Sequence, residues 1–233
     1  MIKIKIILLS LSFPILIVAQ DLSVLYKLNK NGAETGFYRL DIYRDNSVFY
    51  ESNYCENNLA VKSDLIISKQ NKKSDTIYLL DKIDGASIYS QKSFLLNWKI
   101  LDEKKNIAGY KSHKAEFFYK DEKWIAWFTN DLPFQDGPFI FKGLPGLILI
   151  IENENYRFEL VEISKYKTFC DININNRKEI SYEKYESIFK NISEKNTNLI
   201  NSISNLNLDL EIDLKSTKDK VNTTNILREI LYR

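Results

Sequence analysis

The sequence is poor in the residues on which most enzyme sites depend. Its 233 residues include one histidine, two cysteines and seven glycines. One histidine and two distant cysteines cannot supply the four ligands of a structural zinc site. No nucleophile elbow, glycine-rich phosphate loop or calcium-binding spacing is present. We therefore expect no metal, no cofactor and no catalytic set of a known type.

Long apolar runs are also missing, except at the start of the chain. Lys3 and Lys5 precede an apolar stretch from Ile6 to Val18, and the small residue Ala19 follows. This stretch is shorter than the roughly 20 residues that span a bilayer. A membrane anchor and a buried core helix are the alternatives. A basic start, a short apolar core and a small residue after it together predict a cleavable signal peptide at residues 1–19.

The remaining chain has no excess of either charge. The sequence holds 33 basic and 31 acidic residues, and removal of Lys3 and Lys5 with the signal leaves 31 of each. A neutral chain without a Lys/Arg stripe lacks the electrostatic footprint of a nucleic-acid-binding protein. We expect an exported protein of the periplasm or cell surface that does not span the membrane and has no nucleic-acid partner.

Cys55 and Cys170 are the two cysteines. An oxidising exported compartment permits a disulfide between them. Sequence cannot show that the two residues meet, so pairing and free thiols both remain open.

From Asp21 onward, apolar and polar residues alternate with a period of two, and short polar turns separate the alternating segments. This pattern predicts strands joined as an antiparallel meander, not a parallel βαβ sheet. We predict a mainly β (α+β) fold with one strongly curved, half-barrel-like sheet. The predicted strands are 37–43, 47–50, 76–80, 87–89, 94–98, 114–119, 123–128, 147–151 and 156–163.

The pattern changes after Cys170. Ser181 is placed to cap a helix whose apolar residues Tyr182, Tyr185, Phe189 and Ile192 follow the helical period. Asn205–Leu214 alternates like a strand, and a short helix is predicted within Asn225–Arg233. We divide the chain into the signal, a β-rich domain over 20–190, and a C-terminal extension over 191–233 whose order or disorder stays open.

Catalysis has few candidates in this sequence. His113 is the only histidine, and its position at the start of a predicted strand accounts for it without a catalytic role. Asp131 and Asp136 lie five residues apart in one loop, whereas a hydrolase needs two carboxylates that converge in a cleft. Turn chemistry explains both residues more simply. An envelope hydrolase using Asp131, Asp136 or His113 is therefore a minor alternative.

The segment from Asp131 to Gly146 is unusually apolar for a loop. Pro145 and Gly146 occupy the central positions that a type II turn favours. The loop either packs against the sheet and closes one end of the core, or it forms a binding surface. In the second interpretation the binding residues are Trp127, Phe134, Phe139 and Phe141.

The same loop ends in Gly143, Leu144, Pro145, Gly146, Leu147 and Ile148, preceded by Gly137 and Pro138. These six residues, GLPGLI, are the signature of the GLPGLI family, a group of exported Bacteroidetes-type proteins that this chain resembles over roughly residues 20–190. The resemblance implies no established activity, ligand or cofactor. The expected meander is similar, by analogy of fold alone, to the half-barrels of periplasmic lipoprotein carriers.

Three hypotheses follow for function. The leading one is a non-enzymatic envelope protein that binds a lipid or an extended peptide in an apolar groove. The second is an interaction subunit of an outer-membrane or secretion assembly, which contacts an envelope protein partner. The third is the envelope hydrolase.

Overall fold

The computed structural model describes residues 21–43, 46–52, 66–70, 75–83, 86–165, 176–191 and 226–231. The predicted signal peptide at 1–19, both cysteines and the alternating segment Asn205–Leu214 lie outside these residues. The predicted boundary between the domain at 20–190 and the extension at 191–233 falls within the described residues 176–191, whereas residues 192–225 of that extension lie outside the described residues.

The described chain forms twelve strands in one sheet. The strands are β1 Leu22–Lys30, β2 Ala33–Tyr43, β3 Asn46–Glu51, β4 Ile66–Gln70, β5 Thr76–Ile83, β6 Ala86–Ser93, β7 Lys99–Ile107, β8 Tyr110–Tyr119, β9 Glu122–Thr129, β10 Leu147–Glu152, β11 Tyr156–Lys165 and β12 Lys178–Glu179. The order across the sheet is β12-β6-β5-β4-β3-β2-β1-β11-β10-β9-β8-β7. Every neighbouring pair is antiparallel except β12 and β6.

The predicted fold class is confirmed: the sheet is large, open and curled, and two short helices follow near the C-terminus. Helix α1 spans 182–191 and helix α2 spans 226–231. The Lys184 backbone N–H donates to the Ser181 hydroxyl, so Ser181 caps α1 as predicted. None of the described helices has the length and hydropathy needed to cross a bilayer.

Period-2 alternation assigns each strand a core face. On β9, Trp124, Ala126 and Phe128 belong to the main hydrophobic core. The residues between them point to the opposite face, because successive side chains on a strand alternate. The side of the sheet that carries the main core is called here the concave face.

The hairpin connections place the ends of the strands on two rims. Residues 31–32 and 153–155 adjoin, because Lys30 pairs with both Ala33 and Tyr156. Antiparallel pairing carries the C-terminal end of β5 and the 120–121 turn to this same rim. The other rim holds the 108–109 turn and both ends of the long connection from β9 to β10. We call the first the helix rim and the second the loop rim.

Helix α2 lies at the helix rim and contacts strands far apart in the sheet. Glu229 pairs with Lys30 of β1, and Arg228 pairs with Asp81 of β5. The Leu231 carbonyl accepts from Lys120, in the β8–β9 turn. Seven apolar residues of the two helices belong to the main core: Tyr182, Tyr185, Phe189, Ile226, Leu227, Ile230 and Leu231. The C-terminal helix is thus part of the same core as the sheet.

One predicted strand is wrong. Residues 94–98 are not in a strand; instead Phe94 packs into the core and the Trp98 indole N–H donates to the Lys142 carbonyl. The strand β7 begins directly after them, at Lys99. Strand β7 has charged residues at five of its positions, so its sequence carries little apolar alternation.

Candidate functional site at the β9–β10 loop

The connection between β9 and β10, residues 130–146, is called here the GLPGLI loop. It crosses the loop rim and enters the concave face, where its own backbone fixes it. The Asp136 and Leu147 N–H groups donate to the carbonyls of Phe134 and Leu132. The Ile148 N–H donates to the Asp136 carbonyl at 2.9 Å, which ties the middle of the loop to the start of β10.

Phe139 and Phe141 are buried at the centre of the core, with no exposed surface. Phe139 stacks on Phe158 at a centroid distance of 6.2 Å, and Phe141 contacts Trp124 at 4.7 Å. Burying an aromatic side chain of this size stabilises a fold by roughly 2–3 kcal/mol. These two residues therefore fit the first interpretation of the loop, in which it packs against the sheet and closes one end of the core.

The other two proposed binding residues lie at the margin of the core. Phe134 is half-buried and packs against the main cluster. Trp127 is 8% exposed and faces away from the concave face. The Lys105 ammonium lies 3.8 Å from the centroid of its ring, and Lys114 is the second cation nearby. The structure therefore does not bring the four aromatic residues together along one open groove.

Three positions in the loop require glycine, each for a different physical reason. A Cβ on Gly146 would lie 1.9 Å from the Thr129 carbonyl oxygen, so two backbone segments meet there. A Cβ on Gly137 would lie 2.7 Å from Ile148. Gly143 has φ +94, which favours glycine, and it faces the Trp98 ring. In each case only the missing side chain permits the observed path.

The predicted type II turn at Leu144–Leu147 is wrong. Such a turn requires positive φ at Gly146, but among the described glycines only Gly32, Gly109 and Gly143 have it. Close approach to Thr129 explains Gly146 instead. Pro145 is exposed, whereas Leu144 and Leu147 are buried, so the motif alternates between rim and core.

The loop carries a buried ion pair. Asp136 and Lys69 of β4 have no exposed side-chain surface, and Lys69 Nζ lies 2.5 Å from Asp136 Oδ1. Lys69 also donates to the Gly137 carbonyl at 2.6 Å. Burial lowers the pKa of Lys69, Lys142 lowers it further, and Asp136 acts in the opposite direction.

The residues proposed for hydrolysis have separate surroundings. Asp131 is exposed and accepts from the Lys111 backbone N–H, whereas Asp136 is enclosed with Lys69. His113 is half-buried, with its ring 5.7 Å from that of Phe128. A fully enclosed carboxylate cannot reach a substrate, and this arrangement does not form the cleft pair that hydrolysis needs. No cluster of potential metal ligands occurs within the described ranges.

Sequence reasoning missed the polar groups that organise the core. Lys69 and Asp81 are both fully buried, and Arg228 is nearly so. Lysine, aspartate and arginine are almost never fully buried unless paired, so composition alone assigns them to the surface. A weak signal was available: Lys69 and Asp81 both lie at the position of an inward-facing residue in an alternating strand.

The position of Phe141 gives a direct test of the loop's role. We expect Phe141→Ala to lower the free energy of unfolding by about 3–5 kcal/mol, because it leaves a cavity lined by other aromatic rings. Phe134→Ala, at the half-buried margin, is the matched control and should cost clearly less. Urea denaturation followed by tryptophan fluorescence measures both. Equal small losses would show that Phe141 is not a core residue.

The structure thus defines a β-rich protein with one curled sheet, closed at the loop rim by the GLPGLI loop and at the helix rim by α1 and α2. Residues 116–150, from β8 through the first strand residues after the loop, match a family described as a protein of unknown function (Porph_ging). It is a Bacteroidetes-type family. None of the curated proteins matches the sequence.

Solved structures share the fold. PNGF-II, solved in the P21 space group, aligns with a TM-score of 0.63 at 19% identity over 73% of this chain. The C2 form of PNGF-II gives 0.62 at 19% identity over 72%. This chain spans only about a third of the length of PNGF-II, 33% and 32% in the two forms. At such identity the likeness concerns the fold alone.

Proposed function

We propose that this is an exported, non-enzymatic envelope protein of the GLPGLI type that binds an extended protein segment along the outer edge of β7. One observation carries the proposal. The protein's own side chains fill the concave face, whereas β7 ends the sheet and pairs only with β8 among the described strands.

A ligand on the concave face would have to displace part of the core. Phe139, Phe141 and Leu144 occupy that face from the loop rim. Helix α2 occupies it from the helix rim, held by the buried pair of Arg228 and Asp81. Removing either segment exposes apolar surface or leaves a buried charge unpaired, and both are costly. The lipid or peptide groove is therefore less favoured than a site on the outside.

The edge of β7 requires no such displacement. The strand has nine residues and most of them are exposed. The outer N–H and C=O groups of an edge strand are a template for another strand, and peptide recognition by strand addition uses them for affinity. Large exposed apolar side chains lie in and near this edge: Ile100 at 52%, Leu95 at 71% and Phe118 at 70%.

The charges of β7 limit what can pair with it. The strand carries charges of both signs, two acidic residues (Asp102 and Glu103) between the basic residues Lys99 and Lys104–Lys105, and its register shifts between Ile100 and Lys104. Charges and bulges are the devices by which natural edge strands avoid indiscriminate pairing. A partner must supply an extended segment with complementary charges and an apolar residue opposite Ile100, which makes the edge selective.

Two further observations support this assignment. The sequence predicts a signal peptide at 1–19, and an envelope assembly is where an exported interaction protein would act. In addition, the same fold makes up about a third of the longer PNGF-II chain. A fold that occurs within a longer chain is suited to a role as a module that contacts other proteins or domains.

Site-specific photo-crosslinking in the native host tests the proposal. A photoreactive amino acid at Ile100 should give an adduct with one envelope protein, mapped to an extended segment of that protein. The same probe at Val161 of β11 is a matched control, because the two side chains are 52% and 50% exposed. Equal adducts at both positions, or none at Ile100, would contradict edge binding.

Native mass spectrometry of the mature protein, purified from the envelope without detergent, separates the two binding hypotheses. We expect no additional mass from a small ligand. A reproducible additional mass that organic denaturation removes would instead support the lipid or peptide groove.

A further inference from the structure

The buried pair of Lys69 and Asp136 joins two distant parts of the chain. Lys69 lies on β4 and Asp136 in the GLPGLI loop, 67 residues later. Both side chains are completely shielded from solvent, and Lys69 Nζ lies 2.5 Å from Asp136 Oδ1. An amine and a carboxyl group are thus held in contact inside an apolar core.

Hydrogen bonds fix both groups. The Asp136 backbone N–H donates to the Phe134 carbonyl, and the Asp136 carbonyl accepts from Ile148. Asp136 Oδ1 also accepts from the Gly137 N–H at 2.8 Å. Lys69 Nζ donates in addition to the Gly137 carbonyl at 2.6 Å. Reacting groups that are oriented in this way lose most of the entropic barrier to reaction.

The ionic form gains little from this location. Removing two charges from water costs several kcal/mol per ion, and apolar residues of similar volume are often as stabilising as a buried ion pair. Two other titratable groups act on the site: Lys142, and Tyr26, whose hydroxyl donates to the Ile148 carbonyl. Burial is the largest influence on the pKa of Lys69; Asp136 raises this pKa and Lys142 lowers it, and the net shift is downward, toward the neutral, nucleophilic amine.

The geometry points to a covalent amide cross-link between Lys69 Nζ and Asp136 Cγ. One ammonium proton first passes to Asp136 Oδ2, which frees the nitrogen lone pair. The lone pair then attacks Cγ, and the Gly137 N–H holds Oδ1, where negative charge develops. The bond from Cγ to Oδ2 then breaks. Two of the three ammonium protons leave with that oxygen as one water molecule, and the third stays on the amide nitrogen. No oxidant, metal or cofactor is required.

The cross-link would tie the GLPGLI loop to β4 through a bond that no reductant cleaves. Closing a ring of this length restricts the unfolded chain, as a disulfide does. The side chains of Lys69 and Asp136 are completely shielded from solvent, which opposes hydrolysis of the amide. The cross-link depends only on the core and is independent of the partner proposed for β7.

Mass spectrometry of the purified mature protein, after reduction, tests this inference. We expect wild type to weigh one water molecule less than its processed sequence. Trypsin should leave Lys69 uncleaved, in a branched peptide that also contains Asp136. Lys69→Arg keeps the charge but has no nucleophilic amine, and it should have its full mass; signal processing and the cysteines affect both proteins equally.

The wild-type digest decides the matter even if the variant fails to fold. Separate linear peptides that contain Lys69 and Asp136, together with a full wild-type mass, would overturn the cross-link and leave an ordinary ion pair.

Discussion

Gly146→Ala is expected to destabilise the protein more than any other single-methyl change in the GLPGLI loop. A Cβ at this position would lie 1.9 Å from the Thr129 carbonyl oxygen and 2.6 Å from its carbonyl carbon. Both atoms belong to the backbone, so no side-chain rotation relieves the overlap. Residues 129 and 147 are also paired across β9 and β10, and the two strands would have to separate.

We expect a loss of at least about 3 kcal/mol in the free energy of unfolding, at the upper end for overpacked sites. For a chain of this size, that loss lowers the melting temperature by about 6–12 °C. Differential scanning calorimetry of the purified protein measures the shift. The loss comes from a steric overlap with backbone atoms, so a larger residue at position 146 should be no better tolerated than alanine.

Gly36→Ala provides the matched control. Its added Cβ would come no nearer than 3.7 Å to another atom, which is ordinary contact, and its φ does not require glycine. We expect this variant to be nearly as stable as wild type. If both variants melt at the wild-type temperature, then β9 and the GLPGLI loop do not approach each other as closely as described.

Arg228→Leu is expected to have the second large effect, because it leaves a carboxylate buried. Asp81 is completely buried and accepts two hydrogen bonds of 2.8 Å from the Arg228 guanidinium. The Tyr185 hydroxyl and the Lys82 backbone N–H also donate to the Asp81 carboxylate, at 2.9 and 2.8 Å, but neither of these two donors carries a charge. Breaking a buried ion pair on one side costs about 3–5 kcal/mol.

The same substitution should release helix α2 from the helix rim. A helix of six residues is unstable alone, so its order depends on contacts with the sheet. Hydrogen–deuterium exchange should show faster exchange in residues 226–231, while the amides of β9 and β10 remain protected. Chemical denaturation of the same samples gives the free energy.

Two further variants identify the cause. Asp81→Asn combined with Arg228→Leu removes the unpaired charge and keeps an acceptor for Tyr185, so it should recover more than half of the loss. Glu103→Gln removes a partner from an ion pair with Lys114 whose glutamate side chain is 60% exposed, and it should leave the unfolding midpoint unchanged. A double variant as unstable as the single one would argue that the packing of Arg228, not its charge, holds α2.

Much of the sheet was predictable from the residues. Eight of the nine predicted strand segments fall on strands of the structure, because period-2 alternation is strong where one face is buried. The failure at 94–98 has a clear cause. Phe94, Leu96 and Trp98 are spaced two residues apart, yet they contact the core from a connecting segment. Such a spacing indicates which side chains are buried, but it does not show that the backbone pairs with another strand.

The apolar loop was recognisable in the sequence as a segment, but its internal organisation was not predictable. The apolar character of residues 131–146 indicated that the loop must be covered, and both of the interpretations given above agree with that. Only the path of the chain decides between them, because a phenylalanine in a core and one in a groove have the same sequence signature. Phe139 and Phe141 lie in the core, while Trp127 faces away from it.

The sequence by itself determined the class of fold, the antiparallel pairing, the cap at Ser181 and the lack of familiar catalytic motifs, because these depend on local pattern and composition. Tertiary structure alone decided that the concave face is filled from both rims, that β7 ends the sheet, and that Lys69 meets Asp136. Each of these depends on residues that are distant in sequence. Local propensity carries no information about which distant side chains the curl of a sheet brings into contact.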